Sequence, residues 1–124
     1  MGKLNSEISI LVVDDDLGFR SLLETILRTE GYHVDAVHNV AAARKACGQG
    51  KYRVVVSDLK LPDGTGLDVQ SWFLEHAPST AFALITGFGS VSTAVEAMKR
   101  GAVDYLEKPL RSPDELRQIG RAHV

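Results

Sequence analysis

The stretch Ile8-Ser9-Ile10-Leu11-Val12-Val13-Asp14-Asp15-Asp16 decides how this chain folds, because an apolar run fit for a buried strand ends abruptly in three carboxylates. A run this apolar suits a strand of a parallel sheet covered on both faces. A second run, Val54-Val55-Val56-Ser57, delivers another acid, Asp58, in the same way. If the two strands are neighbours in a parallel sheet, their C-terminal ends bring Asp14, Asp15 and Asp58 into one crevice. At about 5 Å and an effective dielectric near 20, each like-charged pair costs about 3 kcal/mol. The three pairs together rival the stability of a whole domain, so the cluster calls for a cation or a raised pKa. An all-oxygen site with waters to spare suits a hard divalent ion, Mg²⁺ above all.

Working outward, short β-branched runs alternate with segments of helical period. Phe19, Leu22, Leu23, Ile26 and Leu27 recur at three and four residues and mark a helix that Gly31 can end. His33 to Val37 reads as a second strand. Val40 to about Ala46 reads as a short helix closed by Gly48 and Gly50, before a strand over Arg53 to Ser57. A third helix runs from Leu67 to about His76 and stops before Pro78. Ala81 to Ile85 is a fourth strand, Ser90 to Arg100 a fourth helix ended by Gly101, and Asp104 to Leu106 a brief fifth strand. Ser112 as N-cap, Pro113 at the first helical position and Glu115 three residues past the cap start the last helix.

Five strands alternating with five helices predict an α/β fold: a doubly wound parallel sheet of order 2-1-3-4-5 with helices on both faces. In that order the crevice opens between strands one and three. Thr86 ends the fourth strand and Lys108 stands just past the fifth, so a hydroxyl and a compact positive charge suited to a phosphoryl group join the acids.

Composition narrows the function classes. The 124 residues, 44% of them hydrophobic, suit one domain with one core. A formal charge of -2 without a basic stripe argues against nucleic-acid binding by this segment. No apolar stretch approaches a membrane span and no signal pattern opens the chain, which points to the cytoplasm. Cys47 stands alone, and the histidines (His33, His38, His76, His123) lack metal-ligand spacing.

Ile10 to Asp16, Val55 to Asp58 with Leu61-Pro62-Asp63-Gly64-Thr65-Gly66, Leu84 to Gly87, and Asp104 to Pro109 together resemble the signature set of the bacterial response-regulator receiver domain. The resemblance spans nearly the whole chain and implies a flavodoxin-like fold. It implies that Asp58 accepts a phosphoryl group from a histidine kinase. It further implies that Asp14, Asp15, Asp58 and the backbone carbonyl of Lys60 hold Mg²⁺, that Thr86 and Lys108 contact the phosphate, and that Tyr105 is a rotamer-switching aromatic. The region from Gly87 to Pro109 is similar to receivers of nitrogen-regulatory, enhancer-binding transcription activators. In those proteins an ATPase and a DNA-binding domain follow, so the expectation is a single receiver domain over residues 1–124, cut from a longer regulator. Its surface of helix 4, strand 5 and helix 5 is then the expected homodimer or output face.

Some features depart from the family pattern. The acid in the loop after Asp58 is displaced, while its closing glycine remains. Lys60 and Phe88 occupy positions where the family tunes phosphoryl lifetime: Lys60 could reach the phosphate or lie in solvent, and Phe88 could shield the bond from water. Asp16 reads as the cap of the first helix, and Lys108-Pro109 is a place for a cis bond. Two other readings fit parts of the pattern. One is a haloacid-dehalogenase-like phosphatase with Asp14 as nucleophile, which needs a further acidic pair where only Asp114-Glu115 follows. The other is a binding module that signals without phosphate.

Overall fold

The apolar, mostly β-branched runs form the first, third and fourth strands of the main sheet, and the segments of helical period form the helices. The computed structural model describes residues 4–87 and 90–124. A short 3₁₀ turn at Asn5–Glu7 leads into β1 (Ser9–Val13), α1 (Leu17–Thr29), β2 (His33–Val37), α2 (Val40–Gln49) and β3 (Val54–Ser57). A two-stranded hairpin, β4 (Lys60–Leu61) with β5 (Gly64–Thr65), precedes α3 (Gly66–His76), β6 (Ala81–Thr86), α4 (Val91–Lys99), β7 (Asp104–Glu107) and α5 (Pro113–His123). The main sheet has five strands in the order β2-β1-β3-β6-β7. All its pairings are parallel. Apart from the hairpin, whose strands are too short to carry a period, this is the predicted doubly wound order.

Strand parity divides the core into two layers. Ile10 and Val12 of β1 face α1 and α5, packing with Leu23, Ile26, Leu27, Leu116 and Ile119. Leu11 and Val13 face the opposite side and pack with Val40 and Ala43 of α2, Val69 and Phe73 of α3, and Ala97 of α4. Leu22, counted in the apolar face of the first helix, is instead 46% exposed, at the margin of that face.

Helix boundaries follow the caps. Asp16 caps α1 by accepting from the amide of Phe19 at 3.0 Å. Gly31 follows with φ +93°, a left-handed conformation in which glycine carries no Cβ penalty. The second helix passes through Gly48 and ends only at Gly50, so it is longer than predicted. On α5 the Ser112 hydroxyl accepts from Asp114, while Glu115 reaches back to the amide of Arg111 at 2.6 Å. The Lys108-Pro109 bond is cis.

Candidate functional site

Register places the acids. Val13 of β1 pairs with Ser57 of β3, so Asp14 and Asp58 leave adjacent strands at the same level. The Asp58 amide donates to the carbonyl of Val13 at 2.8 Å, and the Asp14 amide to that of Val37 at 3.0 Å. Asp14, Asp15 and Asp58 each offer a carboxylate oxygen within 4.8 Å of the others. Asp14 and Asp58 are buried and Asp15 is exposed, so the cluster has a closed floor and an open mouth.

Lys108 supplies the positive charge that such a cluster needs. Its ammonium lies 2.7 Å from Asp14 Oδ2 and 3.0 Å from Asp58 Oδ2. Burial works against its charged form, but the two carboxylates outweigh that and hold the lysine above its usual pKa. Burial pushes the Asp14 carboxyl up, against the opposing pull of Lys108 and of the Asp16 amide, which donates to Asp14 Oδ1 at 2.9 Å. The Lys108 contact to Asp14 Oδ2 is an ion pair without hydrogen-bond alignment, and Asp58 Oδ1 is buried with no hydrogen-bond partner. Buried carboxylate oxygens left in that state are costly, and a divalent cation with oxygen preference would satisfy them. The donor set therefore fits a hard metal.

The backbone around Asp58 is tightly constrained. Its carbonyl accepts from the Ser57 hydroxyl at 2.9 Å. Gly66 packs so closely on that carbonyl that a Cβ would collide with it, and would also lie 2.7 Å from Leu84 Cδ1. The hairpin that carries Lys60 is pinned from both sides. Thr65 and Asp68 form a capping box at the start of α3. Asp63, the displaced acid of the loop, accepts from the amides of Val40 at 2.8 Å and Ala41 at 3.0 Å at the start of α2. Those amide bonds hold its carboxyl below the usual range. The Lys60 side chain is exposed, and its backbone pairs with Thr65.

Thr86 and Tyr105 share one face of the sheet. Leu84 pairs with Tyr105, Thr86 follows two residues later, and both residues line a cavity of about 450 Å³ with Ser90, Val91 and Ala94 of α4. Thr86 is buried and Tyr105 half-buried. Phe88 lies outside the described residues. The structure thus gathers Asp14, Asp15, Asp58 and Lys108 at one point, sets Thr86 and Tyr105 on one cavity beside it, and holds Lys60 on the adjoining hairpin.

Sequence reasoning missed four residues here: Phe19, whose ring lies beneath the Lys108 ammonium, Arg20, which donates to the Asp14 carbonyl at 2.8 Å, Ser57 and Asp63. Phe19 and Arg20 read as ordinary helix positions, and no periodicity could assign them to a site. Asp63 could have been found from its place beside Pro62 and Gly64, a turn acid free to cap a neighbouring helix.

Residues 10–121 match the family described as the response regulator receiver domain. The chain belongs to that family. This receiver domain is 38% identical over 100 residues to the response regulator protein PilR of Pseudomonas aeruginosa, covering 81% of this chain and 22% of PilR. It spans less than two thirds of the length of the curated relatives it matches. Among solved structures, the beryllofluoride-activated NtrC4 receiver domain dimer superposes with a TM-score of 0.86 at 39% identity, covering 93% of this chain and 95% of that one. A response regulator from Burkholderia pseudomallei, determined with a phosphorylated aspartic acid, a calcium ion and citrate, gives 0.82 at 32% identity, covering 94% and 66%. Receiver domains are the aspartate-phosphorylated modules of response regulators, and the relatives of this one include the transcriptional regulatory protein ZraR of Klebsiella oxytoca, 36% identical over 104 residues, covering 84% of this chain and 24% of ZraR. Among the described residues no helix is long and apolar enough to cross a membrane.

Proposed function

We propose that this receiver domain is a phosphoacceptor switch in which Asp58 takes a phosphoryl group from a histidine kinase in a Mg²⁺-dependent reaction. The observation that carries the reading is the buried Asp58 carboxylate, with Oδ1 lacking a hydrogen-bond partner, Oδ2 on Lys108, and Asp14 and Asp15 within 4.8 Å. Asp14, Asp15, Asp58 and the carbonyl of Lys60 would hold Mg²⁺, which when bound would offset the repulsion between a carboxylate nucleophile and a phosphoryl dianion. The calcium ion in the Burkholderia structure supports a divalent site in such domains.

The chain's own residues do the rest. An Asp58 oxygen forms the new P–O bond as the donor's P–N bond breaks, and Lys108, already on Asp58, shifts its donors to the added phosphoryl oxygens. The phosphoryl group adds about -1.5 to -2 units of charge, by analogy with other phosphorylated side chains. Thr86 is drawn toward it, and the cavity beside Thr86 gives Tyr105 a place to turn inward. The population then shifts between two packings of α4, β7 and α5, by as much as the phosphate contacts differ between them. On α4, Val91, Val95 and Met98 expose an apolar stripe, with Val91 at 82%. That stripe and the NtrC4 dimer support a homodimer or output contact on this face. The downstream output is transcriptional control in a cytoplasmic regulator of the enhancer-binding type, with DNA contacted outside this domain. On this reading the domain catalyses only its own phosphorylation and dephosphorylation.

The hydrolase alternative finds less support. Asp14 Oδ1 is engaged by the Asp16 amide and Oδ2 by Lys108, and Asp114 and Glu115 bond locally at the start of α5. Incubation with acetyl phosphate and Mg²⁺ followed by intact-mass measurement tests the reading. The native chain is expected to gain one phosphoryl group and Asp58→Asn none. A gain that survives the substitution would move the nucleophile to another acid, and no gain in either would favour a phosphate-independent module.

A further inference from the structure

The Lys108 ammonium sits 4.3 Å from the ring centroid of Phe19, and Lys108 also lines the cavity beside Thr86. Its other near neighbours are Asp14 Oδ2 at 2.7 Å and Asp58 Oδ2 at 3.0 Å, and only 18% of its side chain is exposed. Phe19 lies in the first turn of α1, where its amide is fixed by Asp16 Oδ1, and its side chain packs against the core layer under α1 and α5. The same acidic run therefore supplies the lysine's ion-pair partner through Asp14 and its aromatic neighbour through Asp16. A phenyl face attracts a cation through its quadrupole but competes weakly for its donors. An aliphatic side chain would fill the same space without that attraction.

We propose that Phe19 is a positioning residue for Lys108, an aromatic seat that keeps the ammonium over Asp14 and Asp58 and leaves its donors directed at the acceptor site. The inference rests on the phosphoacceptor reading, because the ligand the lysine is held ready for is the phosphoryl group. The ring and the two carboxylates together hold the ammonium beside the Asp58 carboxylate, where an added phosphoryl group would stand. Loss of a cation–π contact of this kind corresponds to about a threefold to tenfold loss in affinity for a phosphoryl mimic.

The test uses the labelled chain in solution, with Phe19→Leu, Phe19→Tyr and Lys108→Met for assignment. Without added metal, the Lys108 Hε protons of the native chain are expected to resonate upfield of the other lysines through the ring current. They should return toward the ordinary position in Phe19→Leu and stay upfield in Phe19→Tyr. Titration with beryllofluoride and Mg²⁺, followed at the Asp58 amide, is expected to show binding weakened by about threefold to tenfold in Phe19→Leu and restored in Phe19→Tyr. Hε shifts unmoved by Phe19→Leu would overturn the contact. Affinity equal to native despite moved shifts would overturn the positioning role. Absence of beryllofluoride binding by the native chain would instead overturn the phosphoacceptor reading, whatever the Hε protons show.

Discussion

The segment that follows Asp58 and the surroundings of Thr86 are built in opposite ways. The loop after β3 is locked: a hairpin, a capping box on α3, the Asp63 clamp on α2 and Gly66 pressed on the Asp58 carbonyl leave it no slack. Beyond Thr86 at the end of β6 there is room instead, a cavity of about 450 Å³ against the first turns of α4. At Gly87 the nearest atom to an added Cβ among the described residues would be Lys108 Cβ at 3.7 Å, an ordinary contact. The difference separates two tasks. Metal and phosphoryl chemistry needs donors fixed in advance, whereas signalling needs a region with a second packing available.

Lys108 reaches from the loose side to the locked one, and removing it should have the largest effect. Lys108→Met leaves the buried Asp14 carboxylate without its counter-charge, at an expected cost of about 3–5 kcal/mol in urea unfolding near neutral pH. The pH dependence follows from the raised pKa of Asp14. For an acid whose folded pKa exceeds the unfolded one, stability is fullest below the unfolded pKa and falls as pH rises through the folded one. The deficit of Lys108→Met should therefore shrink as pH is lowered from neutrality. A deficit independent of pH would mean that Asp14 is not the group left exposed to the loss.

Next in size, Gly66→Ala forces a methyl against the Asp58 carbonyl and Leu84, and is expected to cost about 1–3 kcal/mol through overpacking. Asp63→Ala should lower Tm by a smaller margin at neutral pH, through loss of the acceptors for the Val40 and Ala41 amides, while Asn39 still caps α2. Because the folded pKa of Asp63 is depressed, its stabilisation is present above the unfolded carboxylate pKa and disappears as pH falls through the folded one. Native and variant should converge in acid. The smallest effect is expected for Gly87→Ala, within about 0.5 kcal/mol. Equal costs for Gly66→Ala and Gly87→Ala would break the contrast between the two regions.

The sheet order was legible because each strand of the main sheet is a short run set apart by helical segments, most of them apolar, and most helix starts carry a capping residue. Asp16 and Ser112 cap where their positions imply, while Ser90, read as the first residue of the fourth helix, is its cap. The acids were legible for the same reason, since a residue at the end of a buried strand has one place to go. Gly48 reads as a stop for α2, yet it is exposed, and a Cβ there would meet nothing within 4 Å, so the helix continues to Gln49. The hairpin of two-residue strands is too short to show alternation. The contacts of Phe19 and Arg20 depend on how α1 is rotated over the sheet, and that is set by Leu23, Ile26 and Leu27 packing below, not by any local motif.

The central claim is that Asp14, Asp15 and Asp58 form one divalent site, and amide chemical shifts during a Mg²⁺ titration test it most directly. Saturable shifts of Asp15, Asp58 and Lys60 are expected in the native chain, with the affinity falling sharply in Asp15→Asn. Shifts that are absent, or that persist unchanged in Asp15→Asn, would contradict it.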